Sequence, residues 1–314
     1  MTFEERLPTF IRYLMVLTGF ACFFSGPNKV FAGKIALSFD DAPRKETLFL
    51  KGKDRAEILV QELKKSKVDE VMFFVTTEGL SRPETKRRVA RYNQAGHLIA
   101  NHTHSHERPD DLGVDAYVED VKRADSLVRV YSNFVPFFRY PYLDYGKTQK
   151  TRDQVRSQIR NLGYKNGYVT VDNFDWYFDH AVQEALRQGR HVNLKRLRKA
   201  YVHALWDSIQ FYDNLSKVVL GRSVRHVLLL HENDVAAMFV SDLVAHIKSK
   251  GWEIISPLEA YKDPIADIMP ETLRNNNGKV AAIATEQGYE GSTRDFFQNS
   301  EAIDDLLKER NVFD

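Results

Sequence analysis

Histidine and aspartate residues are concentrated in two short segments of this chain. Three histidines fall within five residues, at His102, His104 and His106, and two carboxylates are adjacent at Asp40 and Asp41. Two imidazoles four residues apart and one carboxylate supply three ligands for a zinc-like ion, which leaves a fourth position for water. Such an ion lowers the pKa of its water to about 7. These residue types therefore indicate metal-assisted hydrolysis of an acyl bond.

The remaining charged groups could move protons beside that ion. Adjacent side chains of a strand point to opposite faces, so one aspartate could bind the ion while the other serves as a general base. A cation such as Arg139 could hold the base in its charged form. His231, which ends a later apolar run, is a natural general acid for a departing amine.

Structural interpretations of the same residues stay open at this point. Adjacent aspartates at a strand end often cap a helix or a turn. Arg139 could form a surface salt bridge, and His231 could be a buried, hydrogen-bonded residue. Packing rarely needs three histidines so close together, so the histidine cluster favours a metal site. Within it His104 is the weakest ligand candidate.

The reactive residues stand where apolar runs of the sequence end. These runs are 35–39, 71–75, 97–100, 134–138, 165–171, 226–230 and 252–256. Helical patterns separate most of them, and strands that alternate with helices favour a parallel barrel. The active site of such a barrel lies at the C-terminal ends of its strands. We therefore expect the polar segments to meet at one mouth of the barrel.

Composition restricts the class of protein. The chain has 314 residues, a net charge of +2 and a single cysteine, Cys22. The charges are well mixed, with no basic stripe between aromatic residues, so we expect no nucleic-acid partner. Without thiols after Cys22, a cysteine nucleophile, a zinc–thiolate site and disulfides are excluded from the rest of the chain. A metal must then be held by nitrogen and oxygen ligands.

The N-terminal segment predicts export. Two arginines precede an apolar run from Tyr13 to Phe24, and small residues lead to Gly33. A charged start, a short apolar core and a cleavage site of this kind are typical of a secretory signal peptide, here 1–32. An uncleaved anchor is the alternative, but a membrane span needs about 20 apolar residues. We expect a periplasmic or secreted protein with no integral membrane domain.

The rest of the chain divides into a barrel and two additions. We assign 33–265 to the barrel, with a long helical insertion at 177–224, and 266–314 to a more polar C-terminal extension. The insertion could be a helix packed on the flank of the barrel, which we favour. It could also be a lid over the mouth, because long excursions are often functional.

The same residues resemble the polysaccharide deacetylases with a NodB homology domain, which form carbohydrate esterase family 4. That family has five ordered motifs, and all five appear here in order. The matching segments are 38–42 (SFDDA), 102–106 (HTHSH), 139–142 (RYPY), 172–176 (DNFDW) and 229–231 (LLH). Two positions depart from the usual pattern, because Ser38 replaces a threonine and Ala42 replaces a glycine.

The resemblance implies a role for the charged residues. Asp40 would be the catalytic base, and Arg139 would hold it in place. Asp41, His102 and His106 would be the ligands of a divalent metal, with Zn²⁺ favoured over Co²⁺ or a similar ion.

It also implies roles for the residues around them. His231 would be the catalytic acid, and Asp175 would either tether the arginine or tune His231. Three residues would contact substrate: the backbone N–H of Tyr142 as an oxyanion donor, Trp176 as a wall of the groove, and Leu229 beside the acetyl methyl group.

The fold implied by the resemblance is a distorted (β/α)7-type barrel. The implied reaction removes N-acetyl groups from the amino sugars of a polysaccharide or oligosaccharide, such as cell-wall peptidoglycan or an exopolysaccharide. An O-acetyl esterase acting on a glycan such as acetyl-xylan would share the same catalytic parts. A glycan-binding protein without catalysis is a third interpretation, which the intact set of base, ligands and acid disfavours. The oligomeric state is not indicated.

Overall fold

A sheet of seven parallel strands lies at the centre of the computed structural model, which describes residues 31–273 and 276–314. The apolar core of the expected signal peptide lies outside the described residues. The strands are β1 (Gly33–Ala42), β2 (Met72–Val75), β3 (Leu98–Asn101), β4 (Phe134–Phe138), β5 (Lys165–Asn166), β6 (Arg225–His231) and β7 (Trp252–Ile254).

The strands follow the order β5-β4-β3-β2-β1-β6, and β7 pairs with the first residues of β1. The central strand β1 is ten residues long and almost entirely buried. Parallel strands with helices on the outside are buried on both faces, which explains their nearly continuous apolar sequences. Each strand coincides with an apolar run identified in the sequence.

One segment, 165–171, joins the two edges of the sheet. At its start Gly167 N–H donates to the Phe138 carbonyl of β4 at 2.7 Å. At its end Val171 forms a bridge with Leu228 of β6, and Leu229 N–H donates to the Val171 carbonyl at 3.1 Å. The sheet therefore curls into a distorted barrel, as expected. The run is not one strand, however, because its two halves pair with different neighbours.

Eleven α-helices accompany the sheet in the part of the chain that the structure describes. They are α1 (Gly52–Lys65), α2 (Pro83–Gln94), α3 (Pro109–Leu112), α4 (Val114–Val128), α5 (Gln149–Asn161), α6 (Asp175–Arg187), α7 (Leu194–Leu220), α8 (Asp234–Ser249), α9 (Pro257–Ala260), α10 (Lys279–Glu286) and α11 (Ser300–Glu309). Within the described ranges, no helix combines the length and apolar character that crossing a bilayer requires.

The long helix α7 packs beside the barrel, against α8 and α10. Its buried face includes Tyr201, whose ring meets Phe178 of α6 edge-on at 5.6 Å, and Trp206, whose ring meets Trp252 of β7 at 6.0 Å. None of its side chains lines the cavity at the barrel mouth that is described below. The helix thus packs on the flank, and its side chains lie outside the lining of this cavity.

Candidate metal centre and active site

The end of β1 brings two carboxylates to the mouth of the barrel. Asp40 pairs in register with His231 of β6. The register to β2 then shifts between Phe39 and Ala42, and Asp41 adopts a left-handed backbone with φ of 63°. Both aspartates consequently face His102, whose Nε2 lies 3.7 Å from Asp40 Oδ2 and 3.5 Å from Asp41 Oδ1. The expectation that their side chains point apart is wrong, because the left-handed residue breaks the alternation of the strand.

Asp41, His102 and His106 form a cluster whose ligand atoms all lie within 4.8 Å of one another. Asp41 Oδ1 is 3.0 Å from His106 Nε2. His102 Nδ1 lies 2.8 Å from the Arg139 carbonyl, and this contact leaves Nε2 directed at the carboxylates.

The cluster fits a divalent ion. Among the described residues, Asp41 Oδ1 is buried without a hydrogen-bond partner. Burial opposes ionisation of this carboxyl, but the nearby charges of His106 and His231 help to hold the pKa of Asp41 well below its usual range. Zinc commonly binds two imidazole nitrogens and one carboxylate oxygen, and a further coordination position then remains for water.

The loop between the two histidines is held by its own polar groups. Asn101 Oδ1 accepts from Thr103 N–H at 2.8 Å, and Thr103 Oγ1 accepts from His106 N–H at 2.9 Å. Thr103 and His106 both adopt left-handed backbone conformations, with φ of 70° and 61°. His104 turns away from the cluster, and its Nδ1 lies 2.8 Å from Thr77 Oγ1. The third histidine is therefore a structural residue.

Asp40 is paired with a buried guanidinium. Arg139 Nη1 donates to both carboxylate oxygens of Asp40, at 2.9 and 3.0 Å. Arg139 Nε donates to the Gly167 carbonyl, and the guanidinium lies 4.1 Å above the Phe74 ring. The side chain is only 1% exposed, so it is a buried partner of Asp40 and not a surface salt bridge.

His231 is bound by a second aspartate. Its Nδ1 lies 2.6 Å from Asp175 Oδ1, and its backbone N–H donates to Asp175 Oδ2 at 2.9 Å. Burial opposes protonation, but the charge of Asp175 outweighs it and raises the pKa of His231 to about 9. Of the two partners considered for Asp175, the structure places it against His231 and away from the arginine.

A cavity of about 460 Å³ lies over these groups. It is lined by Asp40, the three candidate ligands and His231, and also by Tyr142, Trp176 and Leu229. Trp176 and Tyr142 remain 38% and 47% exposed, so their rings are open to a ligand. Of the site residues expected from the sequence, only Arg139 and Asp175 do not line the cavity. Arg139 contacts Asp40 from behind the wall, and Asp175 contacts His231 in the same way.

The Tyr142 backbone is distorted where the cavity begins. Its φ is 58°, and its N–H donates to no acceptor among the described residues. The ring contacts His106, with centroids 4.6 Å apart, and the guanidinium of Arg108 covers it at 3.9 Å. An unpaired N–H beside a candidate metal ligand is a donor available to a substrate oxygen.

Six residues to which the sequence analysis assigned no role also line the cavity, among them Arg44, Asp172 and Asn276. Arg44 follows the first motif by two positions, and Asp172 begins the fourth motif. Because both residues lie close to aspartates of a motif, their positions in the sequence could have identified them. Asn276 comes from the polar C-terminal extension, and no local pattern marks it.

Comparisons with known proteins find similar sequences. Residues 28–167 match the family model of polysaccharide deacetylases. A peptidoglycan-N-acetylglucosamine deacetylase of Bacillus cereus is 29% identical over 162 residues, which make up 50% of this chain and 50% of that protein. The chain thus spans about half the length of this curated relative.

Solved structures show a similar fold. A polysaccharide deacetylase from Bacillus cereus aligns with a TM-score of 0.50 and 19% identity, over 71% of this chain and 91% of that one. A family 4 carbohydrate esterase from Streptomyces lividans, solved with acetate, aligns with a TM-score of 0.48 and 19% identity, over 74% and 97%. Residues 28–167, which include the first three of the five motifs, are thus similar to the polysaccharide deacetylase family.

Proposed function

We propose that this protein is a metal-dependent hydrolase that removes N-acetyl groups from the amino sugars of a polysaccharide such as peptidoglycan or an exopolysaccharide. The observation that carries the proposal is the gathering of Asp40 with its arginine, three ligand atoms and His231 with its aspartate around one cavity. The named activity of the Bacillus cereus relative supports an amide of an amino sugar as the scissile group.

Asp41, His102 and His106 would hold the ion. When bound, a divalent ion supplies a Lewis acid that acidifies water and polarises an acyl carbonyl. Zn²⁺ suits two imidazoles and one carboxylate, and Co²⁺ or a similar ion could replace it.

Asp40 would act as the general base. Its carboxylate lies 3.7 Å from the ligand atom of His102, so water beside the cluster is within its reach. Arg139 orients Asp40, because the buried guanidinium contacts both carboxylate oxygens. Transfer of a proton from water to Asp40 would produce the nucleophile that attacks the acetamide carbon.

The charge that develops on the carbonyl oxygen needs a donor in the right place. The Tyr142 N–H is fixed by the left-handed turn and would meet that oxygen, a contribution commonly worth about 3–4 kcal/mol. His231 would then protonate the leaving nitrogen, and cleavage of the carbon–nitrogen bond would release acetate and a free amine. Asp175 keeps His231 charged until that step.

The walls of the cavity fit an acetylated sugar. Leu229 is nearly buried and offers an apolar surface to the acetyl methyl group. Trp176 and Tyr142 offer partly exposed rings on which a sugar could lie.

The site would act outside the cytoplasm. The expected signal segment 1–32 supports export to the periplasm or the medium, where wall and capsule polymers are found. A chain recovered from culture with Gly33 at its N-terminus would support this, whereas an intact Tyr13–Phe24 segment on the exported protein would indicate an anchor.

Acetate release tests the reaction. The chain from Gly33, loaded with Zn²⁺, is incubated with N-acetylated chitooligosaccharides, peptidoglycan and acetyl-xylan, beside Asp40→Asn and the exposed control Asp69→Asn. Release of acetate from the N-acetylated glycans by the wild type and Asp69→Asn, but not by Asp40→Asn, supports the proposal. Release from acetyl-xylan alone would identify an esterase. Glycan binding without any release would identify a protein that has lost catalysis.

A further inference from the structure

A hydrogen bond joins the C-terminal extension to Asp172 in the wall of the cavity. Gln298 Nε2 donates to Asp172 Oδ2 at 2.7 Å, although the two residues are 126 positions apart in the chain. Both side chains are buried, and Asp172 lines the cavity. A residue of the extension therefore contacts the same wall that carries Trp176.

Gln298 is itself held in one orientation. Tyr212 of α7 donates its hydroxyl hydrogen to Gln298 Oε1, and the Asp295 N–H donates to the same oxygen at 3.1 Å. Asp295 in turn accepts from Ser208 of α7 at 2.6 Å. Because its oxygen accepts these two bonds, the amide of Gln298 can only present its NH₂ group to Asp172.

Burial of Asp172 raises its pKa to about 7, against the lowering effect of the Asn173 backbone N–H, of the charges of His231 and Arg294 and of the bond from Gln298. The charges of His231 and Arg294 therefore compensate the buried carboxyl only in part. A carboxyl group offers more hydrogen-bonding sites than the one that Gln298 occupies. Because Asp172 lines the cavity, a ligand hydroxyl there is the natural partner for the remaining sites.

We propose that the C-terminal extension is part of the active site, with Gln298 as a positioning residue that orients Asp172 toward a hydroxyl group of the bound sugar. This inference rests on the proposed function, because it concerns the substrate of that cavity. In this arrangement α7 and the extension together position Asp172. Tyr212 and Gln298 fix, from behind the wall, one polar contact to the substrate without lining the cavity themselves.

Substrate kinetics test the inference. KM, kcat, zinc content and melting temperature are measured with one N-acetylated chitooligosaccharide for Asp172→Ala, Gln298→Leu and the double variant. Losing a hydrogen bond to a buried acidic group should raise KM about tenfold in Asp172→Ala, with zinc content unchanged and kcat nearly so. Gln298→Leu should raise KM several-fold. The double variant should be no worse than Asp172→Ala, because Gln298 acts through Asp172.

Controls separate positioning from general stability. The exposed Gln158→Leu on α5 should match the wild type. If Gln298→Leu does not fold, Tyr212→Phe replaces it, since it removes the hydroxyl that holds the amide. Unchanged KM in Asp172→Ala would overturn the inference, and so would independent, additive effects of the two residues. An inactive wild type on every N-acetylated glycan would instead refute the proposed function.

Discussion

The residues around the cavity are unusual in their backbone conformation. Five residues other than glycine have positive φ there, namely Asp41, Thr103, His106, Tyr142 and Leu143. A left-handed conformation costs an L-residue roughly 1–2 kcal/mol, and such strain concentrates at functional sites. Here the left-handed backbone directs side chains and N–H groups into the cavity. In a regular strand the same groups would point elsewhere.

At the same scale, His231 should set the alkaline limit of activity. Its protonated form is the proposed acid, and the pKa of His231 is raised to about 9. The reaction should therefore persist below that pH and fail as the pH rises through it. Asp175→Asn removes the principal charge that raises this pKa, so the limit should move to lower pH. The pH dependence of kcat for both proteins measures the shift, and coincident profiles would contradict the role of Asp175.

Arg139 should matter for stability as well as for activity. Arg139→Met leaves the Asp40 carboxylate buried without its cation, which typically costs about 3–5 kcal/mol. Arg91→Met breaks a more exposed pair with Glu57 and should cost less than about 1 kcal/mol. Urea denaturation compares the two variants with the wild type. Equal losses in the free energy of unfolding would show that the Asp40–Arg139 pair stabilises the fold no more than the exposed pair does.

The secondary-structure elements explain how much of the site was predictable. Each motif follows an apolar run, so its position at a strand end could be inferred from the sequence. The closing segment 165–171 could not, because pairing with β4 and then with β6 depends on partners distant in the chain. The geometry of Asp40 and Asp41 was also missed, since alternation describes regular strands and Asp41 has left that conformation.

One element outside the site offers a direct test of backbone strain. Lys67 follows the C-terminus of α1 with φ of 55°, and its side chain is exposed. Glycine is favoured at such a position. Lys67→Gly should raise the free energy of unfolding by about 0.5–1 kcal/mol, the relief of strain less the cost of a more flexible unfolded chain. Lys67→Ala keeps the strain and should give no gain. Chemical denaturation of both variants decides whether the turn is strained.

On the scale of the whole molecule, the wall of the cavity combines near and distant parts of the chain. The type and spacing of the motif residues identify candidates for the base, the ligands and the acid from the sequence alone. Gln298 and Asn276 could not, because they come from a polar extension whose contacts with Asp172 and the cavity arise only in the folded chain. The outer wall of the cavity therefore depends on contacts between distant parts of the chain, which the local sequence does not reveal.

The most direct test of the account is acetate release before and after removal of the metal. Wild-type protein is treated with a chelator, its metal content is measured, and activity on an N-acetylated chitooligosaccharide is followed as Zn²⁺ is restored. We expect activity to disappear with the metal and to return with about one equivalent of ion, and His106→Ala to recover neither metal nor activity. Undiminished release by demonstrably metal-free protein would contradict the account.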